Sequence, residues 1–122
     1  MSTIKKTLVI GASVNPERYA NRAVKMLLQH NHPVVAIGKQ DGTIDGVKIE
    51  KEKLPFQDID TVTLYVNPVH QKEYYDYIIS LKPKRVVFNP GTENPEFYSL
   101  LEQHNISVDV GCTLVMLTTN QY

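Results

Sequence analysis

Short unbroken apolar runs punctuate the chain, and between them apolar residues recur at every third or fourth position. "TLVIG" from Thr7 is such a run bounded by a glycine turn, which predicts a strand buried on both faces. Beyond it, Ala20, Ala23, Val24, Leu27 and Leu28 fall on one helical face and Arg22, Lys25 and Gln29 on the other, predicting a helix that closes near Asn31, ahead of Pro33. "VVAIG" from Val34 then completes a strand–helix–strand unit with a right-handed crossover.

The pattern weakens from Lys39 to Asp60, where "DGTIDG" signals tight turning, "VKI" from Val47 fits a short edge strand, and Pro55 argues against a long helix. Alternation then resumes: "TVTLYV" from Thr61, a helix from about His70 to Leu81, "RVVF" from Arg85, a helix from about Pro95 to His104, and "ISVDV" from Ile106. Strands alternating with helices predict a doubly wound, mostly parallel α/β sheet of five to six strands, with helices on both faces in three layers. With six strands the expected order is 3-2-1-4-5-6, which sets "TVTLYV" beside "TLVIG" and opens a crevice beyond their carboxyl ends. The loops "GASVNP" and "NPVH" should meet there. No repeat, low-complexity tract or linker interrupts residues 1–122, so one domain is expected.

Composition changes this picture only by exclusion. Thirteen basic residues balance thirteen acidic ones, so no net field draws the chain to nucleic acid or an anionic membrane, and any anion site must be local. The N-terminal apolar run is too short to span a bilayer and lacks a signal-peptide cleavage pattern. A single cysteine, Cys112, precludes an internal disulfide framework, and together these features lead us to expect a cytoplasmic protein.

The first loop offers candidate chemistry. Gly11 ends the strand where a Cβ would obstruct a close ligand, and a helix N-terminus beyond it presents unpaired amides and partial positive charge. A phosphate suits that setting. Ser13 adds a hydroxyl donor, Asn15 an amide, and Arg18 a charged fork for paired phosphate oxygens, while Pro16 keeps Asn15 out of the helix. The same residues also fit a plain strand-to-helix turn, with Arg18 a solvated surface charge. Ser13 and Pro16 stand where a dinucleotide G-x-G-x-x-G pattern needs its later glycines, and no triphosphate-binding G-x-x-x-x-G-K-[ST] occurs. After the second strand come Gly38 and Lys39 rather than an acidic ribose ligand; Lys39 suits a further phosphate, or is a solvated loop lysine.

The segments "VIGASVNPERYANRAVKMLLQHNHPVVAIG", "DTVTLYVNP", "VVFNPGTENPE" and "ISVDVGCTLVML", in that order over nearly the whole chain, resemble the small CoA-binding proteins. Their Rossmann-like domain is similar to the N-terminal domain of the succinyl-CoA synthetase alpha subunit. The resemblance implies coenzyme A or an acyl-CoA as ligand. It also implies that Gly11, Ala12, Ser13 and Arg18 line the phosphate region, with Lys39 near the adenosine end. By the same likeness Val66, Asn67 and Pro68 flank the adenine or pantetheine arm, and Asn89, Pro90 and Gly91 form the next loop. The chain departs from the family pattern at Ala20 and Asn21, where relatives often have a serine; at "GKQDG", where an asparagine–proline pair is common; and at Asn89–Pro90, where a glutamine or glutamate often precedes the glycine.

Ligases that share this domain add others, one supplying a phosphorylated histidine, and the resemblance to a chain without them implies binding rather than catalysis. His30, His32, His70 and His104 lack a clear carboxylate partner in sequence, and "HNH" at 30–32 straddles a helix end and a loop, so no metal site is expected. Cys112 could face the crevice and exchange with the CoA thiol, but a buried packing role is preferred. Tyr74, Ile78 and Leu81 share a predicted core face, with Tyr77 elsewhere. The run Leu114–Leu117 fits either a cover over an open sheet edge or a contact in a homodimer. Two other readings stay open: an NADP-binding oxidoreductase-like protein, suggested by Lys39, and an interaction module that has lost its ligand.

Overall fold

The computed structural model describes residues 3–122. Strands β1 (Thr7–Ile10), β2 (Val34–Ile37), β3 (Gly42–Ile44), β4 (Val47–Glu50), β5 (Thr61–Leu64), β6 (Arg85–Phe88) and β7 (Ser107–Val110) form one seven-stranded sheet in the order β3-β4-β2-β1-β5-β6-β7. All pairings are parallel except that of β3 with β4. The fold is the expected doubly wound, Rossmann-like α/β class.

The count of five to six strands is corrected to seven. "GTI" pairs antiparallel with β4 through a tight turn in which Asp45 (φ 46°) and Gly46 (φ 87°) are both left-handed, as a two-residue hairpin requires. The turn signal in "DGTIDG" was legible; the three-residue strand before it has no apolar run to announce it.

Helix α1 (Tyr19–Gln29) lies on one face with α5 (Thr113–Thr118), while α2 (Pro68–Gln71), α3 (Tyr75–Leu81) and α4 (Pro95–Gln103) cover the other. Alternation within each strand feeds the two cores. Leu8 and Ile10 pack with Val62, Leu64, Phe88, Phe97 and Leu101, whereas Val9 packs with Ala20, Val24, Leu27, Ala36 and Leu117. The single helix expected from His70 to Leu81 is two helices joined by a 3₁₀ turn at Lys72–Tyr74. Ile78 is buried there, and Tyr77 joins Tyr74 and Leu81 as a half-buried residue against the same core.

The C-terminal run does not cover a sheet edge. It forms α5 beside α1, burying Leu117 within the chain, half-burying Leu114 and Met116 and leaving Val115 57% exposed. Buried Asn89 fixes this helix: its Oδ1 accepts the Thr113 amide at 2.8 Å, and its Nδ2 donates to Thr63 Oγ1 at 2.7 Å and Leu64 O at 2.9 Å. Among the described residues no helix is long and apolar enough to cross a membrane.

Candidate functional site

Beyond the carboxyl ends of β1, β2 and β5 the chain opens a cleft of about 670 Å³. Its position follows from the strand order, because connections leaving β1 and β5 diverge to opposite faces of the sheet. Three loops wall it: Gly11–Arg18, Gly38–Gln40 and Tyr65–Asn67, with Tyr19 and Ala20 from α1 and His70, Glu73 and Tyr74 from the far side.

Close backbone approaches set the shape of the first loop. A Cβ on Gly11, whose φ is +95°, would come within 2.8 Å of the Tyr65 carbonyl oxygen, and one on Gly38 within 2.3 Å of the Ala12 carbonyl oxygen. Only glycine allows the loop to be held between β2 and β5 in this way. Asn21, 3% exposed, braces it from below by donating from Nδ2 to the Ser13 carbonyl at 2.9 Å.

The amides of this loop divide into two sets. Those of Gly11 and Ala12 both donate to the Ile37 carbonyl, at 2.9 and 3.0 Å, and are therefore committed to the sheet. Among the described residues, the amides of Ser13, Val14, Tyr19 and Ala20 have no such partner. The amides left without an internal partner thus lie beyond the glycine itself. Ser13 Oγ accepts the Asn15 amide at 3.1 Å, which leaves its proton free to donate, and Asn15 Oδ1 accepts the Glu17 amide at 3.0 Å.

Helix α1 starts differently from α2 and α4. Asn67 and Asn94 cap those helices, each with a proline in the first turn, their Oδ1 atoms accepting the amides of His70 at 3.1 Å and Phe97 at 3.3 Å. At the N-cap of α1 stands Arg18, with no side-chain cap and no acidic residue in the first turn. An uncapped N-terminus with a cation beside it is electrostatically suited to an anion. Arg18 and Lys39 line the cleft, and neither is in an ion pair among the described residues. Glu17 and Glu73 line it as well, so the cleft carries charges of both signs rather than a broad positive field.

Of the residues singled out in the sequence, Gly11, Ala12, Ser13, Arg18, Lys39, Val66 and Asn67 come together on the cleft wall. Asn15 is exposed at the back of the loop, and Pro68 opens α2 just outside the lining. Asn89, Pro90 and Gly91 lie beyond it, with the Asn89 amide spent on the interior bonds described above. Cys112 is half-buried at the start of α5 and also lies outside the lining. His30 is exposed and His32 is 7% exposed, so the "HNH" histidines face different surroundings.

Sequence reasoning missed Gly38 as a contact, Asn21 as a brace, and Tyr65. Tyr65 lines the cleft, and its hydroxyl lies inward beside Thr63 and Thr113, whose hydroxyls bond to each other at 2.7 Å. Its own hydroxyl is enclosed there without a well-formed hydrogen bond, and burial pushes the phenol well above its ordinary pKa, so it stays protonated. The buried threonines on β5 and α5 were its signal, but their proximity exists only in the fold.

A family model described as a CoA binding domain matches residues 5–118. A crystal structure described as that of an uncharacterized protein is 45% identical, with a TM-score of 0.97, covering 99% of this chain and 100% of its own. A hypothetical protein from Pyrococcus horikoshii OT3 is 28% identical with a TM-score of 0.85, covering 97% of this chain and 84% of that one. A dinucleotide-forming acetyl-coenzyme A synthetase from Ca. Korarchaeum cryptofilum, in complex with phosphate and ADP, has a TM-score of 0.69 at 16% identity, covering 86% of this chain and 25% of that one. That likeness is one of fold. No curated protein matches the chain.

Proposed function

The chain belongs to the CoA-binding domain family, and from that premise we propose that its cleft holds coenzyme A or an acyl-CoA without transforming it. One observation carries the reading: among the described residues, amides without an internal partner at Ser13, Val14, Tyr19 and Ala20 share the cleft with two cations, Arg18 and Lys39, that have no ion-pair partner. A diphosphate takes its oxygens to the amides and the uncapped start of α1, the Ser13 hydroxyl donates to it, and Arg18 supplies a charged fork. Lys39, at the end of β2, is placed for the ribose phosphate, and Val66 and Asn67 form the opposite wall. Gly11 and Ala12 act through the close packing that brings the loop into the cleft. Asn15, Pro68, Asn89, Pro90 and Gly91 have no direct part in this reading.

The non-catalytic assignment rests on the makeup of the wall. His70 and Glu73 line it, but no buried nucleophile–base pair accompanies them among the described hydrogen bonds. The lone Cys112 agrees with a reducing, cytoplasmic setting. Titration calorimetry with CoA, acetyl-CoA and 3′-dephospho-CoA tests the proposal. Saturable binding of the first two is expected, with the third weaker through the lost Lys39 contact. Absence of heat with all three at millimolar concentration overturns it, as does NADPH binding that CoA fails to displace.

A further inference from the structure

Tyr19 opens α1 at the mouth of the cleft, directly after Arg18, yet it is 64% exposed. Its hydroxyl makes no hydrogen bond among the described residues, and its ring packs into neither core. Arg22, three residues further along α1, places its guanidinium carbon 5.5 Å from the ring centroid. A cation at that distance is attracted to a ring face and restricts how the ring turns. No other aromatic ring or cation is stacked on Tyr19 among the described residues, so a flat π surface is left open beside the ligand groove.

We propose that Tyr19 is the platform on which the adenine of the bound nucleotide stacks, making it a specificity-determining contact; this rests on reading the cleft as a CoA site. The Tyr19 amide is itself among the donors facing the diphosphate, and in CoA a single ribose joins that diphosphate to the purine. The base therefore comes to rest within a short reach of this turn. Lys39 lines the same cleft and receives the ribose phosphate. The pantetheine arm has no aromatic ring to offer; a flexible amide chain gains more from the wall formed by Val66 and Tyr74, where Tyr74 is half-buried against the core and Lys53 sits 5.1 Å from its ring centroid. A guanidinium, a phenol ring and a purine in succession make a sandwich in which both interactions use ring faces.

The test compares wild type, Tyr19→Ala and Tyr19→Phe against CoA, 3′,5′-ADP and 4′-phosphopantetheine. Stacking of a base on an aromatic ring predicts that Tyr19→Ala weakens CoA and 3′,5′-ADP alike, by about 5- to 140-fold, while 4′-phosphopantetheine is unaffected. Tyr19→Phe keeps the wild-type affinity. The adenine H2 and H8 resonances of bound 3′,5′-ADP should move upfield in wild type and Tyr19→Phe and lose that ring-current shift in Tyr19→Ala. Unchanged affinity in Tyr19→Ala overturns the proposal, and so does an equal loss for 4′-phosphopantetheine, which puts Tyr19 on the other arm. Should wild type bind none of the three, the CoA reading itself falls; if it binds CoA with the adenine shift absent, only the Tyr19 assignment does.

Discussion

A Cβ built on Gly38 lies 2.3 Å from the Ala12 carbonyl oxygen and 2.9 Å from Ile49 Cγ2, so the end of β2 and the first loop touch through a residue with no side chain. Neither neighbour is the free end of a flexible chain. Gly38→Ala should therefore destabilise the fold by about 1 to 3 kcal/mol, the usual cost of forcing a methyl group into a packed site. The same shift moves the loop amides, so ligand affinity should fall with it. A thermal melt and a CoA titration on the variant check both; an unchanged melting temperature would mean that the loop and β2 are free to separate.

Arg18 lines the cleft with no ion pair among the described residues, and its main chain, not its side chain, forms the start of α1. Removing the side chain should leave the melting temperature nearly unchanged. Loss of a hydrogen bond from a charged donor should weaken CoA binding by about 1.5 to 3 kcal/mol. Affinity that is unchanged in Arg18→Ala returns the residue to the solvated surface charge that its sequence position equally allowed.

Asn89 separates structural from ligand roles. Its amide satisfies the Thr113 amide, Thr63 Oγ1 and the Leu64 carbonyl in a buried setting. Asn89→Ala strands these partners, and each orphaned buried group costs about 1 to 3 kcal/mol. A drop in melting temperature is expected, with hydrogen exchange accelerated first in α5. Wild-type stability combined with lost CoA affinity would instead place the residue at the ligand.

At the opposite end of the sheet, His32 Nδ1 accepts the Lys5 amide at 3.0 Å, and the ring sits 5.0 Å from that of Tyr122. Burial, then the positive charges of His30, Lys5 and Arg85, lower its pKa from the ordinary 6.5, against a smaller opposing effect from Asp60. The unfolded chain therefore binds this proton more readily than the folded one. Stability from this group is present above pH 6.5 and is lost as pH falls from there through the lowered folded value. Melting temperatures from pH 5 to 8 should show an acid-side decline that is shallower in His32→Gln. Parallel profiles for the two proteins would contradict this.

Much of the architecture was readable because β1, β2 and β5 are unbroken apolar or β-branched runs, β6 is one after Arg85, and the helix pattern between the first two is clean. Their order then located the crevice before any side chain was placed. Elements that escaped are short or draw their stability from distant neighbours. β3 is three residues held by its hairpin partner, and α5 is six residues whose first amide is satisfied by Asn89. The cleft wall was legible where loop chemistry is local, as at Gly11, Ser13 and Arg18, which line it. Gly38, Asn21 and Tyr65 matter through contacts across the fold, for which a single sequence carries no spacing rule. The split among the loop amides was likewise hidden, since it depends on the Ile37 carbonyl lying alongside Gly11 and Ala12.

Amide NMR shifts during a CoA titration test the central claim most directly. Saturable changes are predicted at Ser13, Val14, Tyr19 and Ala20, with Gly11 and Ala12 responding less because their amides remain bonded to Ile37. A spectrum that stays unmoved at millimolar CoA, or saturable shifts clustered away from the start of α1, would contradict the account.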